Sequence, residues 1–225
     1  MTIISPSIVR FSKPLIECQN ITNKLGCKSV HLDVCPKNSF TCFFHLEEIN
    51  ELDMQGFQSN ITMHLFYSHS KLPNLSLFLR NQDYAILHVY PTTSSKEIES
   101  FLDISEYSGY KYGLSIDLRS KLTAIEKYIP KLNSLFIMGI PIGTCRMKLD
   151  NISIPRLKQA KQFINLINPL CRLGLDGGVN KKTFPRIVRI ADEVVIGSLL
   201  TDKSNLSDQW IKLKSAVKKR LKQGD

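Results

Sequence analysis

A single (β/α)8 barrel of the α/β class, spanning residues 1–225, is the fold this sequence predicts, and three observations predict it. Short β-rich runs alternate with longer amphipathic ones along the whole chain, the pattern of repeated βα units that build a parallel sheet. Eight strand–helix units can be marked out, the number that closes a barrel. The length of 225 residues suits one domain with a large core, and no low-complexity tract, linker or close internal repeat breaks the alternation.

The strands are expected at residues 3–7, 29–34, 61–65, 84–89, 112–116, 135–140, 172–175 and 193–196. Helices are expected between and after them, at residues 13–25, 47–54, 75–80, 94–105, 121–128, 154–167, 183–190 and 205–221. In the second strand, VHLDV, His31 and Asp33 are two residues apart and share one side, while Leu32 and Val34 share the other. Residues 39–57 are the least regular, and those after Val34 are expected to run into the barrel mouth as a loop. Thr93 or Ser94 caps the helix at KEIESFL, with Glu97 and Glu99 in its first turn; Ser204 or Ser207 caps the last, basic helix.

Composition narrows the function classes. The chain carries 30 basic and 20 acidic side chains, a net charge of +10, part of it in KLKSAVKKRLKQ near the C-terminus. No zinc-finger, RRM or KH signature accompanies that charge, so the expected partner is a phosphorylated small molecule and not nucleic acid. The six cysteines (Cys18, Cys27, Cys35, Cys42, Cys145, Cys171) form no CxxC pair, and are read as reduced thiols of a cytoplasmic protein. MTIISPSIVRF lacks the basic leader and apolar core of a signal peptide, and no apolar run reaches the roughly 18 residues of a membrane span.

A histidine and an aspartate inside an apolar strand are costly to bury unless they are paired or hold a metal. Barrel chemistry gathers at the carboxyl ends of the strands. The expected strands place His31 and Asp33 on the second, His64 on the third and Asp176 just beyond the seventh. A lone strand histidine is usually satisfied by a neighbour's backbone, and a lone aspartate often caps a turn. Four such groups on strands that converge make instead a ligand set for one divalent ion such as zinc, iron, manganese or cobalt. LDGGVN follows with Gly177 and Gly178, and EVVIGSLL ends with Gly197 and Ser198. Glycines after the last two strands let backbone approach a phosphate, and a helix start there can aim N–H groups at it.

SPSIV (residues 5–9), SVHLDV, ITMHLF, ILHVYP, YGLSID, LFIMGIP, LGLDGGVNKKTFPRI and ADEVVIGSLL stand in the order and spacing of the ribulose-phosphate 3-epimerase family, which the sequence resembles over most of its length. The resemblance implies that His31, Asp33, His64 and Asp176 bind the divalent metal, and that Asp33 and Asp176 act as acid and base on the two faces of the sugar. It places Ser7 near the substrate and Gly177, Gly178, Gly197 and Ser198 at its phosphate. No nicotinamide or flavin is implied, because a proton is exchanged and not a hydride. The substrate is then a ketose phosphate, most simply ribulose 5-phosphate going to xylulose 5-phosphate through an enediolate, in a cytoplasmic homo-oligomer.

The sequence departs from the family in three places. Cys35, Pro36 and Lys37 stand where a methionine and an Asp-Gly pair are usual, and Phe66 replaces a methionine. The glycine-rich loop after the sixth strand is PIGTCRM, in which Arg146 is expected to supply a phosphate contact that the family takes from backbone groups. These changes keep two alternatives open, a hexulose-phosphate 3-epimerase acting on a sugar such as allulose 6-phosphate, and a non-catalytic barrel that binds a phosphosugar.

Overall fold

The computed structural model describes residues 2–11, 13–37, 39, 44–45, 49, 54–67, 72, 74–142, 144, 147–200 and 205–221, with backbone only at 9, 10 and 219–221. Among them, nine parallel strands form one sheet: β1 Ile3–Pro6, β2 Ser29–Cys35, β3 Phe44–His45, β4 Asn60–Leu65, β5 Tyr84–Val89, β6 Lys111–Ile116, β7 Ser134–Met138, β8 Arg172–Asp176 and β9 Glu193–Ile196. The order across the sheet is β1-β9-β8-β7-β6-β5-β4-β2-β3. β1 and β2 meet at Ser7, whose N–H donates to the Ile196 carbonyl at 2.9 Å and which bridges His31 in parallel. That seam sets β1 between β9 and β2 and makes the eight long strands a barrel. The ninth, β3, was not expected; it pairs with the end of β2 at Val34↔Phe44 and Cys35↔His45.

Helices cover the outside: α1 Leu15–Lys24, α2 Ser95–Glu106, α3 Ser153–Ile167, α4 Phe184–Ile187 and α5 Leu206–Leu221. Ser94 caps α2 in a capping box with Glu97, whereas the Thr93 hydroxyl accepts from the Tyr90 N–H. Two expected helices are 3-10 turns instead. Residues 75–80 reduce to Leu75–Leu77, started by Asn74 accepting from the Ser76 N–H. Residues 121–128 become Leu122–Ala124 and Glu126–Lys131, where Pro130 has no N–H with which to continue an α-helical ladder. The expected helix at 47–54 and the cap at Ser204 fall outside the described residues, apart from Ile49 and the helical Met54. No described helix is long and apolar enough to cross a membrane.

The barrel interior is built in three tiers. At the amino ends of the strands, buried Glu193 faces Arg172, Ser5, Ser29 and Thr62. The middle tier is an apolar plug of Tyr84, Ile86, Phe136 and Val195, separate from the outer core. Gly174 makes room for it, since a Cβ there would lie 2.3 Å from the Phe136 ring. Above the plug, at the carboxyl ends, sit His31, Asp33, His64 and Asp176. Leu32 and Val34 point the other way, into the core beneath the helices, as the alternation in VHLDV requires.

Candidate metal centre

The sheet brings all four expected ligands together. His31 and Asp33 rise from β2, and register places His64 of β4 directly opposite Asp33. Asp176 closes the set from β8, where it is the last strand residue and not, as expected, the first beyond it. One ligand atom from each residue lies within 4.8 Å of every other. The His31 Nε2 is 3.2 Å from Asp33 Oδ1 and 3.4 Å from Asp176 Oδ2. The His64 Nδ1 is 3.6 Å and 3.4 Å from the same two oxygens.

These distances fit a bound ion. Tetrahedral bonds of about 2.0–2.2 Å set neighbouring ligand atoms about 3.3–3.6 Å apart. The His64 Nδ1 is buried among carboxylates yet makes no hydrogen bond, as expected of a nitrogen whose lone pair is reserved for a cation. Two imidazole nitrogens and two carboxylate oxygens suit zinc, iron, manganese or cobalt. The floor is apolar, with the Phe136 ring 5.8 Å from the His31 ring between centroids.

Without the ion, a proton does its work. Burial alone would push the His31 imidazole down, but Asp176 and then Asp33 outweigh it and raise it from 6.5 to about 10. Burial likewise opposes ionisation of the two carboxyl groups, yet the charge on His31 holds both below the usual carboxylate range. His31 thus stabilises the metal-free fold fully below 6.5 and loses that contribution as pH rises through about 10. Metal needs the neutral ring, so zinc binding at pH 7.5 is expected to release about one proton per ion and to tighten with rising pH. Titration in weak buffer with an indicator dye measures it; uptake without proton release would disprove the arrangement.

Ser7 joins the centre, its hydroxyl donating to Asp33 Oδ2 at 3.3 Å. Gly177 and Gly178 follow Asp176 directly with φ of +97° and +73°, which explains glycine at both positions. Packing demands it too, since a Cβ on Gly178 would lie 2.7 Å from the Leu149 backbone. The helix expected at 183–190 spans Phe184–Ile187, after a turn capped by Asn180, so its start lies six positions beyond Gly178. Gly197 and Ser198 begin the 3-10 turn after β9, the neighbour of β8. Arg146 lies outside the described residues.

One buried group beside the centre was not singled out from the sequence. His88 of β5 is fully buried and neither ring nitrogen has a hydrogen-bond partner. Burial, more than its neighbour His64, pushes it down to about 3, so the ring is neutral. Only the ILHVYP piece pointed to it, and a histidine among apolar residues looks the same whether it binds, supports or fills.

Comparison with known proteins agrees with this geometry. The sequence matches the ribulose-phosphate 3 epimerase family over residues 3–201. It is 24% identical to the ribulose-phosphate 3-epimerase of Mycoplasma pneumoniae over 195 residues, covering 86% of this chain and 85% of that protein. It is 31% identical to the enzyme of that name from Aquifex aeolicus over 121 residues, 53% of this chain and about half, 54%, of that relative's length. Among solved structures, the thiamine phosphate pyrophosphorylase of Pyrococcus furiosus superposes with a TM-score of 0.64 at 16% identity, over 98% of this chain and 96% of that one. The tryptophan synthase alpha subunit of Campylobacter jejuni gives 0.60 at 11%, over 94% of each. These two likenesses establish the barrel; the sequence match establishes more, that this chain belongs to the ribulose-phosphate 3 epimerase family.

Proposed function

We propose that the protein is a metal-dependent epimerase that inverts C3 of a ketose phosphate, interconverting D-ribulose 5-phosphate and D-xylulose 5-phosphate. The observation that carries this reading is the quartet itself, two carboxylates and two imidazoles with ligand atoms within 4.8 Å in a chain of this family. His31, Asp33, His64 and Asp176 hold one divalent ion, either zinc, iron, manganese or cobalt. That ion, when bound, supplies Lewis-acid stabilisation for negative charge developing on the sugar oxygens.

The remaining chemistry belongs to the chain. Asp33 and Asp176 stand on β2 and β8, with β1 and β9 between them in the ring, so they reach a central sugar from different sides. One carboxylate takes the C3 proton, leaving a planar enediolate; the other delivers a proton to the opposite face. Both are ionised before substrate arrives, because His31 holds them below the usual range. Ser7 fixes the Asp33 carboxylate through its 3.3 Å hydrogen bond. Gly177 and Gly178 beside Asp176, with Gly197 and Ser198 after β9, offer backbone and a hydroxyl to the phosphate. The Phe136 floor limits water around the reacting carbon. The reading includes a homo-oligomer, as the family resemblance implies, in the cytoplasm, as the widely spaced cysteines imply.

Solvent proton exchange tests the proposal. Metal-loaded protein in D2O should introduce deuterium at C3 of ribulose 5-phosphate and form xylulose 5-phosphate, both followed by NMR, and a chelator should stop both until divalent metal is restored. A folded, metal-loaded sample that leaves the C3 proton in place would refute it.

A further inference from the structure

We propose that Asp117 and His88 form an outer support for the ligand His64, a carboxylate–imidazole–imidazole chain that grips the His64 ring by its Nε2–H. The inference rests on the metal reading above and extends it to residues outside the quartet. Its starting point is a pair of adjacent unmet groups: the His64 Nε2 is buried without a hydrogen-bond partner, and so are both nitrogens of His88. The two rings lie 5.7 Å apart between centroids, tilted by 46°.

The chemistry of a metal-bound imidazole explains why these groups belong together. The His64 Nδ1 faces the carboxylates of Asp33 and Asp176, so the ring's proton sits on Nε2. A ligating histidine almost always donates that second N–H to a carboxylate, a carbonyl or a water, which fixes the ring and raises its basicity. His88 offers an acceptor only if its own proton is held elsewhere, and Asp117 supplies the place: its Oδ1 lies 3.9 Å from the His88 Nε2. With the proton on Nε2 toward Asp117, the Nδ1 of His88 is free to accept from His64. A small shift closes the 3.9 Å between the His88 Nε2 and Asp117, and the His64 Nε2–H and the His88 Nδ1 are buried groups of adjacent rings. Phe66, stacked on His88 at 5.3 Å, and Tyr90, edge-on at 4.7 Å, confine the ring.

The neighbours of His88 decide its role. Its ring has no exposed surface and meets His64, Phe66, Tyr90 and Asp117, and of these His64 alone is a member of the quartet. It is a positioning residue, and the quantity it controls is the hold on the metal.

The test measures zinc affinity by competition with a chromogenic chelator, and records the visible spectrum of the cobalt-loaded protein as a probe of ligand geometry. Loss of an outer partner typically weakens a site about 10–100-fold. His88→Leu is expected to weaken zinc by that factor and alter the cobalt bands, while His88→Gln, which still donates and accepts, recovers most of the affinity. Asp117→Asn should weaken zinc as well, by a smaller factor, with circular dichroism and melting like the wild type. Unchanged zinc affinity and cobalt spectra in both His88→Leu and Asp117→Asn would overturn the proposal. An effect in His88→Leu alone would overturn the chain as stated, by removing Asp117. Should His88→Leu fail to fold, Asp117→Asn decides, because that side chain is 34% exposed and its loss is tolerable. Wild-type protein that binds neither ion would overturn the metal reading together with this one, whereas tight binding by wild type and variants alike would overturn this one only.

Discussion

On the epimerase reading proposed above, Asp33→Asn is expected to leave a folded barrel that interconverts ribulose and xylulose 5-phosphate about 10²–10⁴-fold more slowly, the usual worth of a positioned proton-transfer group. Asparagine has the same shape and keeps an oxygen to accept the Ser7 hydroxyl, which the carboxylate now does at 3.3 Å. What it lacks is charge and a proton site. An ordinary aspartate, with a pKa of about 3.9, is a weak base for a carbon acid, so its effect depends on placement and on stabilised charge in the sugar. The two-carboxylate scheme adds a finer expectation. Each aspartate serves one face of C3, so Asp33→Asn should still wash the C3 proton out of one epimer through Asp176, and Asp176→Asn out of the other through Asp33. Proton NMR in D2O, run separately on each sugar phosphate with metal content measured, reads this directly. Full exchange from both epimers by folded Asp33→Asn would end its assignment as acid or base.

The quartet was legible because strand geometry is simple. A separation of two put His31 and Asp33 on one side, and the expected strand ends placed His64 and Asp176 at the same mouth; the sheet register then set His64 opposite Asp33. Residues whose reasons lie in other parts of the chain were not legible. Gly178 reads as a phosphate-loop glycine, but its neighbour in space is the Leu149 backbone, 29 positions away by residue number. The short strand β3 is stabilised by pairing with β2, not by any pattern of its own. The helices expected at 75–80 and 121–128 contain apolar residues, yet Asn74 starts only a short 3-10 turn and the second segment divides at Ile125 into two 3-10 turns. His88 escaped notice because burial and lack of partners are tertiary facts.

The same blindness hid a buried acid that ties five strands together. Glu193 begins the apolar run EVVI, and nothing in that run marks it out, yet it is fully buried inside the barrel. It pairs with Arg172 at 2.7 Å and faces the hydroxyls of Ser5, Ser29 and Thr62, so a single acid ties together β1, β2, β4, β8 and β9. Arg172 in turn lies over the Tyr84 ring, 3.9 Å from its centroid, which fixes the guanidinium beneath the apolar plug. Removing one member of a buried ion pair leaves the other charge without compensation, at a cost of about 3–5 kcal/mol. Glu193→Leu is therefore expected to lower the urea midpoint by the equivalent of that amount with an unchanged slope. The penalty arises from the stranded guanidinium and hydroxyls and not from lost attraction alone, so Glu193→Leu combined with Arg172→Leu should recover a large part of it. Glu193→Gln, which still accepts from the hydroxyls, should fall between. A Glu193→Leu protein as stable as the wild type would show that the pair carries no weight, and a double variant no more stable than Glu193→Leu would show that lost attraction, not a stranded charge, sets the cost beneath this barrel.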